Sequence, residues 1–121
     1  MNSSNLPKTT VAFDTETTGI IDEVKKDFGD LIQIGLVKEN GSSMCRYFLP
    51  YREFTDKALA THGMNYEKLR SKGAKPFTKD DANEIVDFIG PNPRIIAHNF
   101  EFDKVVLFAA FKRVGVYLPY D

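Results

Sequence analysis

Residues 9–19 read Thr9-Thr10-Val11-Ala12-Phe13-Asp14-Thr15-Glu16-Thr17-Thr18-Gly19. The first five are β-branched or apolar and run into an acid, the pattern of a buried strand that opens to solvent at its carboxyl end. Residues two apart on an extended chain point to the same side, so Asp14 and Glu16 project together. Two neighbouring carboxylates repel, and one is driven toward its protonated form unless a cation lies between them. Hard oxygen donors suit Mg²⁺ or Mn²⁺ rather than zinc. Taken alone, the pair can equally be a solvated strand end or a helix N-cap.

On the carboxyl side, Asp22 to Gly29 is charged and loop-like. Leu31–Val37 reads as a second strand, Asn40-Gly41 as a hairpin turn, and Met44–Leu49 as a third strand closed by Pro50. These three predict an antiparallel meander. Thr55–His62 and Tyr66–Lys72 then read as short helical pieces. Thr78 with Asp81 three residues on approaches a capping box for a helix carrying Ala82, Ile85, Val86 and Ile89. Arg94–Ala97 is a fourth strand, and Glu101–Val114 is helical with Gly115 as its stop. Residues 1–8 form a loose lead-in, and 9–121 one βββαβα domain of α/β class. The last helix is apolar on two sides, through residues such as Phe102, Val105, Phe108 and Phe111. A surface helix keeps one apolar stripe, so a second covering element, or a second copy of the chain, is expected against it.

Length and composition agree with one globular domain: 121 residues, 42% hydrophobic and 27% charged. Sixteen basic against seventeen acidic residues exclude a polybasic mode of nucleic-acid binding, although not an enzyme that holds an anion through metal ions. The basic run Lys68, Arg70, Lys72, Lys75 and Lys79 reads as a solvated face, because no aromatic platform alternates with it. A single cysteine, Cys45, allows no internal disulfide and fits a reducing cytoplasmic setting; its strand context predicts a buried, inert thiol. No signal peptide or membrane span is expected.

A second acidic motif, His98-Asn99-Phe100-Glu101-Phe102-Asp103, follows the fourth strand. An acid in a first helical turn is commonly there for the helix dipole, and that is the expectation for Glu101. The two motifs together, DxExTG at 14–19 and HNxxFD at 98–103, resemble the first two signatures of the DEDD superfamily of 3′→5′ exonucleases, in the branch typified by the proofreading epsilon subunit of bacterial DNA polymerase III. Leu31–Gly35, Phe48-Leu49-Pro50 and His62-Gly63-Met64 resemble that branch's intervening passages, so the likeness runs in order through residues 10–118. It implies a ribonuclease-H-like fold, two divalent ions, Mg²⁺ or Mn²⁺, and Asp14, Glu16 and Asp103 as catalytic metal ligands. It further implies that Thr17 and Ile20 meet the terminal nucleotide and that His62, Asn99 and Phe102 line its pocket, although His62 can instead be a helix cap and Phe102 core. Thr18 and Gly19 are expected to shape the turn. The implied substrate is a single-stranded DNA or RNA 3′ end, DNA being favoured by the family, with a DNA polymerase as an implied partner.

The family's third motif, HxxxxD, finds no match. The only histidines are His62 and His98, with Glu67 and Asp103 five residues on. His98–Asp103 already forms the second motif, and Asp121 is a fourth acid only formally. The expectation is therefore a C-terminally incomplete site, weak or inactive alone. The competing expectation is a catalytically dead nuclease-like module that binds nucleic acid or a partner protein.

Overall fold

A computed structural model describes residues 9–120; the expected lead-in at 1–8 and the acid at 121 lie outside the described residues. Strands β1 (Thr9–Thr17), β2 (Leu31–Lys38) and β3 (Ser43–Leu49) form the expected antiparallel meander. The turn passes through Gly41 at φ 92°, and the Lys38 N–H donates to the Ser42 carbonyl at 2.8 Å. Helices α1 (Asp56–His62) and α2 (Tyr66–Ser71) follow, then β4 (Lys75–Pro76), α3 (Lys79–Ile89), β5 (Pro93–Ala97) and α4 (Phe100–Arg113). The five strands lie in the order β4-β3-β2-β1-β5, with β5 parallel to β1 and β4 parallel to β3. β4 escapes the sequence reading because two residues carry no period, and Pro76 argues against a strand.

β1 runs four residues further than its apolar core, through both acids to Thr17, with a register irregularity between Glu16 and Thr17. Strand alternation buries Val11, Phe13, Thr15 and Thr17 on one side and leaves Asp14 and Glu16 on the other. The buried side packs on Ala82, Ile85 and Ile89 of α3 and on Val106, Leu107 and Phe111 of α4. The opposite side is covered around Ile32 by Leu69 of α2, Phe54 and Met64, but Val37 and Ile96 remain about half exposed. The same alternation corrects the expectation for Cys45. Met44 and Phe48 take the core side, so Cys45 faces the thinly covered one and is exposed.

The Thr78–Asp81 capping box is complete. α4 shows both apolar sides anticipated for it: Val106, Leu107 and Phe111 are buried, while Phe108 is 51% exposed. Part of the cover comes from the tail, where Leu118 is buried and the Tyr120 hydroxyl donates toward the carbonyls of Gly90 (3.1 Å) and Val86 (3.3 Å). Among the described residues, no helix is long and apolar enough to cross a membrane.

Candidate active site at the carboxyl ends of two parallel strands

β1 and β5 point the same way, so their carboxyl ends lie side by side, the usual place for a ligand site in an open α/β sheet. β5 pairs with β1 only as far as Phe13, opposite Ala97. Two residues further on, Asp103 of α4 stands in for a strand partner. Its Oδ1 accepts from the Thr15 N–H at 3.2 Å and from the Thr15 hydroxyl at 2.5 Å, while its own N–H donates to the Asn99 carbonyl at 2.9 Å. A helix-start acid is thereby held at the edge of the strand that carries the other two acids, with Thr15, the residue between them, as the positioning group. The sequence reading passed over Thr15, although its place inside DxE was the available signal.

Asp103 is only 2% exposed, and its Oδ2 is buried with no hydrogen-bond partner among the described residues. A buried carboxylate oxygen without a donor is costly. Burial, and secondarily the charge of Asp14, push the Asp103 carboxyl above its ordinary pKa despite the Thr15 hydrogen bonds. Glu16 is likewise raised, first by burial, then by Asp14 and less strongly by Asp103, against a lowering influence from His62. Asp14 thus acts on both of the other acids, and Asp103 acts on Glu16. No three His, Cys, Asp or Glu side chains among the described residues converge into a ready-made ligand cluster. The donor chemistry nevertheless suits a hard divalent ion: three carboxylates, with one buried oxygen unclaimed.

Glu16 opens onto a cavity of about 710 Å³, which Thr17, Ile20, His62 and Phe102 also line. Four residues assigned to nucleotide contact from the sequence thus share one cavity with a proposed metal ligand. Asn99 does not line that cavity. It is the exposed N-cap residue of α4 and makes no side-chain capping bond. Asp14 faces a neighbouring trough of about 530 Å³ between Gly35, Val37, Ile96 and His98.

Several of these side chains already have local work. The Thr17 hydroxyl donates to the Phe28 carbonyl (2.8 Å) and accepts from the Gly19 N–H (3.0 Å). His62 Nδ1 accepts from the Met64 N–H at 3.0 Å, which leaves the proton on Nε2 to donate to the Thr17 carbonyl at 2.9 Å. Its ring lines the cavity, but backbone partners occupy both nitrogens. Thr18 is fully buried and ties the strand end to Asp30 through two hydrogen bonds, Thr18 N–H to the Asp30 carbonyl and Asp30 N–H to the Thr18 hydroxyl. Gly19 sits at φ 114°, where an added Cβ would lie 2.1 Å from the Thr55 hydroxyl, so the turn needs glycine. Phe102 stacks on Phe28 with ring centroids 4.9 Å apart.

A five-stranded mixed sheet of this order, flanked by helices and carrying acids at the β1 and β5 ends, has the α/β architecture of the ribonuclease-H-like exonuclease fold. Among solved structures, the chain is similar to E. coli exonuclease I in complex with a dT13 oligonucleotide, at 21% identity and a TM-score of 0.75 over 91% of this chain and 25% of that one. Similar values hold for apo exonuclease I (20% identity, TM-score 0.71, 92% and 26% covered) and for a product-bound exonuclease I (21%, 0.69, 92% and 27%). The chain thus spans about a quarter of the length of these exonuclease I chains. No family model and no curated protein matches the sequence.

Proposed function

We propose that this chain carries the acid-bearing part of a two-metal 3′→5′ exonuclease that removes nucleotides from a single-stranded 3′ end, DNA in preference to RNA. The observation that carries the proposal is the unclaimed, buried Oδ2 of Asp103, within electrostatic reach of Asp14 and Glu16 near the carboxyl end of β1. The similarity to an exonuclease I bound to an oligonucleotide supports the substrate class. The epsilon-like branch rests on the sequence motifs and the passages between them.

Asp14, Glu16 and Asp103 would hold Mg²⁺ or Mn²⁺, which when bound activates water and stabilises the leaving 3′-oxygen of an in-line displacement. Thr15 keeps Asp103 at the strand edge. Ile20 and Phe102 offer apolar surface to the terminal sugar and base. His62 holds the Thr17 carbonyl in place and, with both nitrogens taken, is poorly suited to remove a proton. The general base and fourth ligand of the family would come from outside the described residues, in a longer chain or a partner. A general base typically contributes about 10²–10⁴-fold, so this polypeptide alone is expected to act slowly.

The engagement of both His62 nitrogens by backbone groups favours a second reading, a nuclease-like module that binds without cutting. The discriminating experiment follows a 5′-labelled oligonucleotide with Mn²⁺, for the chain as it stands and for Asp14→Ala. Stepwise shortening from the 3′ end, abolished in Asp14→Ala, supports the enzyme. Equal shortening by both proteins would sink the assignment, and metal-dependent binding without shortening selects the module.

A further inference from the structure

A separate cavity, of about 300 Å³, lies between α4 and the segment 25–31. Its walls include Phe28, Val105 and Ala109, and four cationic side chains border it: Lys25, Lys26, Arg52 and Arg113. Two carboxylates, Asp27 and Asp30, line the cleft with them, and both are committed. Arg52 holds Asp27 at 2.7 Å and Asp30 at 2.8 Å, and the buried Asp30 also accepts from the backbone N–H groups of Tyr51 and Arg52. Lys25 and Lys26 have no ion-pair partner among the described residues. The cleft therefore keeps an unneutralised positive charge over an apolar floor.

The loop bearing these lysines is built rather than slack. Asp22 and Asp27 form an antiparallel bridge, with Asp27 N–H donating to the Asp22 carbonyl at 2.8 Å and Ile21 N–H to the Asp27 carbonyl at 2.9 Å. The Asp22 carboxylate accepts from the Lys25 N–H at 3.1 Å. Lys26 is held at φ 56°, a left-handed conformation uncommon for a residue with a Cβ. The hairpin has two sides: Asp22 and Glu23 line the acid-site cavity, whereas Lys25 and Lys26 line the cleft. At its tip, Val24 is 94% exposed. The stacked Phe28–Phe102 pair is the wall between the two cavities, since Phe102 lines one and Phe28 the other.

We infer that this cleft grips the same nucleic-acid strand upstream of its 3′ end, with phosphates against Lys25 and Lys26 and a base against Phe28, Val105 and Ala109. The inference rests on the proposed exonuclease reading and names where its substrate continues. Charge complementarity and the shared wall argue for it. From Phe102 to Ala109 along α4 is about 10 Å at 1.5 Å per residue, the span of about three stacked nucleotides at 3.4 Å each. The second apolar stripe of α4 thereby gains an occupant over part of its length.

The test uses the full chain, Lys25→Gln/Lys26→Asn and Ala109→Glu, with Ca²⁺ in place of Mn²⁺ to suppress cleavage. Asn at position 26 tolerates the left-handed turn, and Ala109 is exposed. The probes are dTMP, a fluorescein-labelled dT8 and an acidic octapeptide. Both variants are expected to bind dT8 about tenfold more weakly and dTMP as the wild type does. Because two phosphate contacts are removed, the slope of log affinity against log salt for the lysine variant should become shallower by about 1.4. Unchanged dT8 affinity and slope overturn the inference and leave the exonuclease reading intact. Failure of the wild type to bind dTMP overturns that reading at the terminal pocket, and failure to bind dT8 overturns the inference. An octapeptide that displaces dT8 from the wild type but not from the lysine variant assigns the cleft to an acidic protein partner, which also overturns it.

Discussion

Asp103 concentrates the electrostatics of the site. Its Oδ1 is doubly hydrogen-bonded while Oδ2 has no donor, and burial raises its pKa. Keeping it ionised at neutral pH thus costs stability, which a divalent ion would return by binding only the folded state. Asp103→Asn retains the Oδ1 acceptor and removes the charge. Thermal unfolding in EDTA should show the variant more stable by about 1 kcal/mol. Adding Mn²⁺ should raise the wild-type Tm and leave the variant's unmoved; equal Mn²⁺ shifts in both proteins would remove Asp103 from the ligand set. Asp14, Glu16 and Asp103 could be put forward together from the sequence because strand alternation and a helix start leave local marks. Asn99 was assigned by position within a motif, and no local pattern says whether an N-cap residue there also lines the cavity, which it does not. Cys45 was misjudged for a related reason: alternation gives two faces, but not which one a helix covers.

Strands β2 and β3, helix α3 and the hairpin turn could be read almost to the residue, since each carries its own period or cap. The clip that fastens the 20s loop to the start of the β3–α1 connection could not. Asp27, Asp30 and Arg52 lie up to 25 residues apart, and nothing local pairs them. Hydrogen bonds from Arg52 lower the pKa of Asp27 directly. In Asp30 they and the backbone donors overcome a burial effect that by itself would raise it. Both folded-state values lie below the unfolded ones, so this stabilisation is present above about pH 4 and disappears as pH falls through the depressed values. Arg52→Met should lose about 2 kcal/mol at pH 7, a figure reduced from that of a fully buried pair because Arg52 is 38% exposed and Arg113 stands 3.6 Å from Asp30. In a Tm series from pH 7 to pH 3, the gap between the two proteins should narrow below pH 4. A constant gap would mean that Arg52 acts through packing alone.

At the scale of the molecule, apolar surface remains on α4 at Phe108 and on the open sheet side at Val37 and Ile96, each about half exposed. Self-association is the expected outcome for the isolated chain. Light scattering at increasing concentration should show a rising mass that Phe108→Glu abolishes; a mass that stays at one chain in both proteins would mean that this surface is tolerated in water. Such surface was foreseeable on α4 from its composition but not on the sheet, where exposure depends on which helices happen to cross it.

The Thr15–Asp103 contact joins residues 88 apart, whereas the strands of the β1–β2–β3 meander pair with their neighbours in sequence. Pairing across a long separation carries the larger loop-closure entropy and is expected late in folding. The three acids would then be brought together only when β5 and α4 dock. On the proposed nuclease reading, a nascent or nicked chain still lacking that docking would hold its acids apart and leave the surrounding nucleic acid uncut.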